Sequence, residues 1–180
     1  MKKQLLAVSA LALAVMSGSA QAGADSGDIE FLGVVTDTTC DIVPEVGGAV
    51  NNIIQLGSVT TSTAASSDSD KGSVINFALK PKAGVTCNFG ANTNATFTFT
   101  GNLGAAGLTN QSGTATDAIV TLKSVNANTP GDINSTTNTA VVAVTNLNDA
   151  AKGAQFSAQL IGGATAGDYR SAVAYVVSYN

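Results

Sequence analysis

Two cysteines, Cys40 and Cys87, are the residues of this chain best suited to covalent chemistry, and their spacing restricts what that chemistry is. A redox pair works through close spacing such as Cys-x-x-Cys. A separation this wide suits a structural cross-link, provided that the compartment is oxidising. Closing a loop of about 48 residues would be worth about 4 kcal/mol on the chain-entropy account. The chain holds no His, which removes Ser-His-Asp and Cys-His catalysis and His-ligated zinc together. The acidic residues are scattered, so no carboxylate pair for glycoside hydrolysis can be named, and no Gly-x-Ser-x-Gly elbow occurs. Asp68-Ser69-Asp70-Lys71-Gly72 resembles the start of a calcium loop without its later acidic ligand, and reads as a solvated loop. Lys80-Pro81-Lys82 is the one local basic cluster, read as a charge group at a strand end. Three Asn-x-Ser/Thr triplets, at Asn94, Asn110 and Asn134, are what Asn/Ser/Thr-rich loops produce by chance. No catalytic centre, metal site or cofactor follows from these residues.

Composition agrees with a non-enzymatic reading. Only 11% of residues are charged, against roughly 25% in ordinary globular proteins. The formal net charge is −4. A nucleic-acid partner is excluded, because the phosphate backbone demands a basic face. Disorder driven by charge is excluded too, since 44% of residues are apolar.

The elements that must position the cysteines begin after an export signal. Met1-Lys2-Lys3 is a basic start, residues 5–16 are an apolar run, and Ala20-Gln21-Ala22 is a small-x-small cleavage site. This is the layout of a secretory signal peptide over residues 1–22, cut after Ala22. The run is shorter than the ~20 residues of a membrane span. Export supplies the oxidising compartment that joins Cys40 to Cys87.

From Gly23 onward the chain reads as strands with polar turns. Residues 27–31 alternate, and residues 53–56 form a short strand candidate. Residues 74–79 place Ile75, Phe77 and Leu79 on one face; residues 95–100 do the same with Phe97 and Phe99. Residues 118–125, 140–145 and 155–161 are further strands, and residues 60–73 and 101–116 read as loops. Residues 169–179 close the chain, with Val173, Tyr175, Val177 and Tyr179 on one face. Residues 148–153 could make a single helical turn. Two-residue periodicity with turn-rich spacers predicts an all-β sandwich or barrel. The free N-terminal extension has an apolar face that must pair within its own sheet or add to that of another molecule.

The block Gly27-Asp28-Ile29-Glu30-Phe31-Leu32-Gly33-Val34-Val35, then Thr39-Cys40-Asp41-Ile42, then Cys87, and finally Gly167 with the penultimate Tyr179, resembles the major subunit of chaperone–usher fimbriae (pili) of Gram-negative bacteria. The run Asp41-Ile42-Val43-Pro44-Glu45-Val46 resembles the animal enterotoxigenic adhesive fimbriae more than the type 1 subunits. The resemblance implies an incomplete immunoglobulin-like sandwich lacking its last strand, built by residues 33–180. It implies that residues 23–32 are a donor strand filling the groove of an identical or related subunit. A periplasmic chaperone would hold the groove first, and an outer-membrane usher would host the exchange. The donor residues carried over are Asp25, Gly27, Ile29 and Phe31. Ile29 and Phe31 are the apolar plugs, worth about 3–6 kcal/mol together if fully buried. Gly27 matches the small donor residue of the family. Asp25 departs from it, since many relatives carry an apolar residue there, and a charge entering an apolar pocket is costly unless paired. Gly167, Val173, Tyr175, Val177 and Tyr179 would border the groove and meet the chaperone, and the Asn180 carboxylate would be held by basic chaperone residues. The implied function is a structural fimbrial subunit, exported through the periplasm to the cell surface and supporting adhesion to a host.

Three other readings stand beside it. Residues 27–35 could be the first strand of a complete sandwich. The fimbrial domain could itself carry a receptor site for host glycans. A secreted all-β hydrolase would need a catalytic centre that the residues do not name.

Overall fold

Alternation alone builds the centre of the protein. The computed structural model describes residues 40–62 and 70–180. Strand β4 (Asn94–Gly101) buries Ala95, Phe97 and Phe99 and leaves the intervening Thr96, Thr98 and Thr100 on its outer face. Strand β10 (Ala154–Ile161) buries Ala154, Phe156, Ala158 and Leu160 in the same way. Successive side chains of a strand point to opposite faces, so each of these sequences has one apolar side to bury. They bury them against each other. The Phe156 ring meets Phe97 and Phe99 edge-on, at 5.9 and 5.2 Å between centroids, and stacks on Phe77 at 5.6 Å.

Two antiparallel sheets result, and the described residues form no closed barrel. The larger joins β1 (Ile42–Val46), β2 (Ala49–Val50), β3 (Ile75–Pro81), β5 (Leu103–Gly104), β6 (Gly107–Thr109), β7 (Ile119–Ser124) and β10 in the order β2-β1-β3-β10-β7-β6-β5, with β8 (Gly131–Ile133) also paired to β7. The smaller runs β11-β4-β9, where β9 is Thr139–Ala143 and β11 is Val173–Tyr179. This is an all-β sandwich, one of the two architectures that the period-two pattern predicts, and it is immunoglobulin-like, as the family resemblance implies. Cys40 and Cys87 form a disulfide with a Cα–Cα distance of 5.2 Å, as expected from export. Lys80 and Lys82 close ion pairs to Glu45 (2.6 Å) and Asp41 (3.4 Å), so the basic cluster stitches β3 to β1.

Several expectations are corrected. Residues 53–56 form no strand: Leu56 turns onto the core, Ile54 is half-buried, and Gly57, at φ 74°, ends any extended run. The 101–116 stretch is not wholly irregular but carries the β5–β6 hairpin. Gly107 makes this possible, because a Cβ there would stand 2.2 Å from the Val120 carbonyl oxygen on β7. The helical turn, α1 (Val144–Leu147), precedes the expected place, drawn by the fully buried Leu147, while residues 148–153 form turns held by Asp149. The final strand begins at Val173, not at Tyr169. Asp70, expected in solvent, is fully buried.

Candidate functional site

Two residues of the face predicted on β11, Val173 and Tyr175, line a cavity between the sheets. Val173, Tyr175, Val177 and Tyr179 pack inward on the core. On one side β11 pairs with β4, with Val173 opposite Gly101, Tyr175 opposite Phe99 and Val177 opposite Phe97. On its other side β11 has no strand partner among the described residues. An edge strand with an apolar inner face is a template for another strand.

Beside that edge lies a cavity of about 570 Å³. Its floor is Phe77, Leu79, Phe99, Leu108, Val120 and Leu122, drawn from both sheets. Ile54, Leu56 and Tyr169 line it and also line an adjoining cavity of about 440 Å³ under the 162–169 loop. Across the opening the Tyr175 hydroxyl donates to the Ile42 carbonyl at 2.8 Å, so one side chain links β11 to β1. Burial, and then the charge of Asp41, push the Tyr175 hydroxyl above its ordinary pKa. The Tyr169 hydroxyl donates to the Leu108 carbonyl at 3.0 Å and fixes the start of the groove.

The remaining expected residues fall around this opening. Tyr179 rests its ring on Phe89, 5.2 Å away, at the far end. Asn180 accepts from the Thr93 and Asn94 amides at 3.0 and 2.8 Å, so its main chain is tied to the start of β4. Gly167 is not on β11. It lies in the preceding loop against Thr114 and Ala115, where a Cβ would stand 2.2 Å from the Thr114 hydroxyl oxygen, and it lines the second cavity. Asp25, Gly27, Ile29 and Phe31 lie outside the described residues. Two groove residues, Tyr169 and Ser171, went unrecognised in sequence, although they extend the odd-numbered alternation of β11 backwards.

A carboxylate latch holds the loop that carries Gly167, and nothing in the sequence marked it. Asp117 accepts from the amides of Ala164 and Thr165 at 2.6 and 3.0 Å. Asp168 accepts from the Thr114 hydroxyl and amide at 2.8 and 3.2 Å. The side-chain oxygen of Asn110 accepts from the amides of Gly113 and Arg170. The Thr165 amide, followed by that of Ala164, holds the Asp117 carboxyl below the usual carboxylate range. The Thr114 hydroxyl, and then its amide, do the same for Asp168. A carboxyl with a folded pKa below its unfolded value stabilises the fold above the unfolded pKa, and that contribution is lost as pH falls. Melting temperature is therefore expected to drop as the pH goes below about 4. The drop should be shallower in an Asp117→Asn/Asp168→Asn variant, and parallel melting curves for the two proteins would show that the latch is energetically idle.

No protein-family model matches the chain. The F107 fimbrial protein of Escherichia coli is 40% identical over 130 residues, covering 72% of this chain and 71% of that protein. The K99 fimbrial protein of Escherichia coli is 34% identical over 133 residues, covering 70% of this chain and 66% of that protein.

Proposed function

This chain belongs to the fimbrial proteins and is a structural subunit of a surface fimbria; we propose that it polymerises by donor-strand exchange. The observation that carries this reading is the β11 edge beside an apolar cavity of about 570 Å³. Strand addition offers main-chain hydrogen bonds along such an edge and pockets for alternate side chains. The occupant is residues 23–32 of a neighbouring copy, with Ile29 and Phe31 entering the cavity, and residues 33–180 form the domain that receives them. Before assembly a periplasmic chaperone occupies the same edge, meeting Val173, Tyr175, Val177 and Tyr179 and the Asn180 carboxylate. An outer-membrane usher hosts the exchange. The signal at residues 1–22 directs export through the periplasm. The protein acts without enzymatic chemistry, and adhesion to a host follows from the filament that it builds.

Deleting residues 23–32 while keeping the signal is expected to abolish filaments in a cell carrying the assembly apparatus, as seen by negative-stain microscopy. The truncated subunit should still accumulate in the periplasm as an oxidised monomer. Filaments formed by the truncated chain would overturn the proposal.

A further inference from the structure

Away from the β11 groove, the outer face of the larger sheet carries another concavity, of about 300 Å³. On β3 the side chains of Phe77 and Leu79 pack on the core, so Asn76, Ala78 and Lys80 take the opposite face. Ala78 stands between Glu45 on β1 and Gln155 on β10 in the cross-strand register. A methyl group between two long side chains leaves a dent, with Ala78 as its floor. Asn76, Lys152 and Val125 also line it.

The charges here are already paired, while the amides are free. The Lys80 ammonium donates to Glu45 at 2.6 Å and to the Ala150 carbonyl at 3.0 Å. The side chains of this pair are only 13% and 26% exposed, so the pair is held in place. Lys152 is paired with Asp149 at 3.4 Å. The side-chain amides of Asn76 and Gln155 make no hydrogen bond among the described residues. Each amide offers two donor hydrogens and an acceptor oxygen, and the Glu45 carboxylate keeps acceptor sites beyond the one Lys80 uses. Val125, 47% exposed, supplies an apolar wall.

This set discriminates among ligand classes. An extended peptide needs a free strand edge, but β1, β3 and β10 are each paired on both sides. An anion needs an unpaired cation, and both cations that line the dent have carboxylate partners. It would also face the Glu45 charge. An apolar ligand would strip water from the two amides and return no hydrogen bond. A ring of hydroxyls, each able to donate and accept, meets every group present. The volume lies at the lower end of small-molecule sites. We propose that this concavity binds one residue of a neutral saccharide. Asn76, Gln155 and Glu45 hold its hydroxyls, and Ala78 and Val125 meet its apolar face. The inference rests on the adhesion part of the reading above, and not on strand exchange. It places a receptor site on every subunit, on the face turned away from the groove. One such contact is weak, but linked copies along a filament raise avidity by about 10²–10⁴.

The test is saturation-transfer NMR on purified fimbriae with the methyl glycosides of glucose, galactose, N-acetylglucosamine and N-acetylgalactosamine. Methyl glucuronide, which differs from the glucoside by its carboxylate, is the acidic control. At least one neutral glycoside is expected to receive saturation, and methyl glucuronide should not compete with it. Asn76→Ala/Gln155→Ala should weaken its binding about tenfold or more, from the hydrogen bonds lost at two amides. Ala78→Leu, which fills the dent and removes no polar group, should abolish it. Negative-stain microscopy shows whether each variant still assembles. If Ala78→Leu does not, the amide variant, altered only at outward-facing side chains, carries the test. No transfer to any neutral glycoside, transfer undiminished in the amide variant, or competition by methyl glucuronide overturns the site. Filaments formed without residues 23–32 would remove strand exchange and leave the saccharide result standing, so the two failures are distinct.

Discussion

Replacing Phe156 by Ala is expected to lower the free energy of unfolding by about 3–5 kcal/mol, the range of a fully buried aromatic truncated without collapse of its site. Phe156 has no exposed surface, and its ring touches three others: Phe77 on β3, and Phe97 and Phe99 on β4. It is the point at which the two sheets hold each other. Edge-to-face and stacked pairs add about 0.5–1.5 kcal/mol each beyond the area buried, so this site belongs at the upper end of the range. Two of the three partners, Phe77 and Phe99, also line the groove beside β11. On the strand-exchange reading proposed above, truncation should weaken acceptance of the donor strand as well as the fold. Urea unfolding of the purified subunit gives the first quantity, and the stability of assembled filaments the second. Phe156→Leu should cost much less, because it keeps most of the volume. A loss below about 1 kcal/mol for Phe156→Ala would mean that the sheets close over the gap, against the packing described here.

The parts legible in the sequence are those governed by local alternation. β4, β10 and the inner face of β11 repeat every second residue, and each inner face needs only a core to enter. The disulfide followed from export and the presence of two cysteines. What was not legible depends on partners distant in the chain. Residues 53–56 have the composition of a strand, but Ile54 and Leu56 cover the cavity while Gly57 turns the chain away. The β5–β6 hairpin exists because Gly107 lets two backbones approach, a fact about Val120 as much as about Gly107. Asp117 and Asp168 read as surface charge until the loops they latch are brought together. The same holds for the groove. The β11 face from Val173 to Tyr179 could be read by alternation, and Val173 and Tyr175 on it line the cavity, whereas the floor needed Leu108, Val120 and Leu122 to arrive from another sheet.

Removing the disulfide by Cys40→Ala/Cys87→Ala is expected to lower stability by about 4 kcal/mol, from the loop-closure entropy returned to the unfolded chain. For a domain of this size that is a fall in melting temperature of about 8–16 °C. The effect should also be local. Cys40 stands two residues before β1, and Cys87 stands two residues before Phe89, on which the Tyr179 ring rests. The cross-link thus joins the β1 side of the opening to the end of β11. Without it β1 is still held to β3 by its ladder and by the Lys80–Glu45 and Lys82–Asp41 pairs. The second of these pairs is exposed on both partners, and exposed pairs contribute little. The folded mutant should therefore show faster amide exchange around Phe89 and Tyr179 than around β7 and β10. Uniform exchange with an unchanged melting temperature would show that the cross-link is incidental. On the strand-exchange reading proposed above, the disulfide would hold the two walls of the opening together before a donor strand enters.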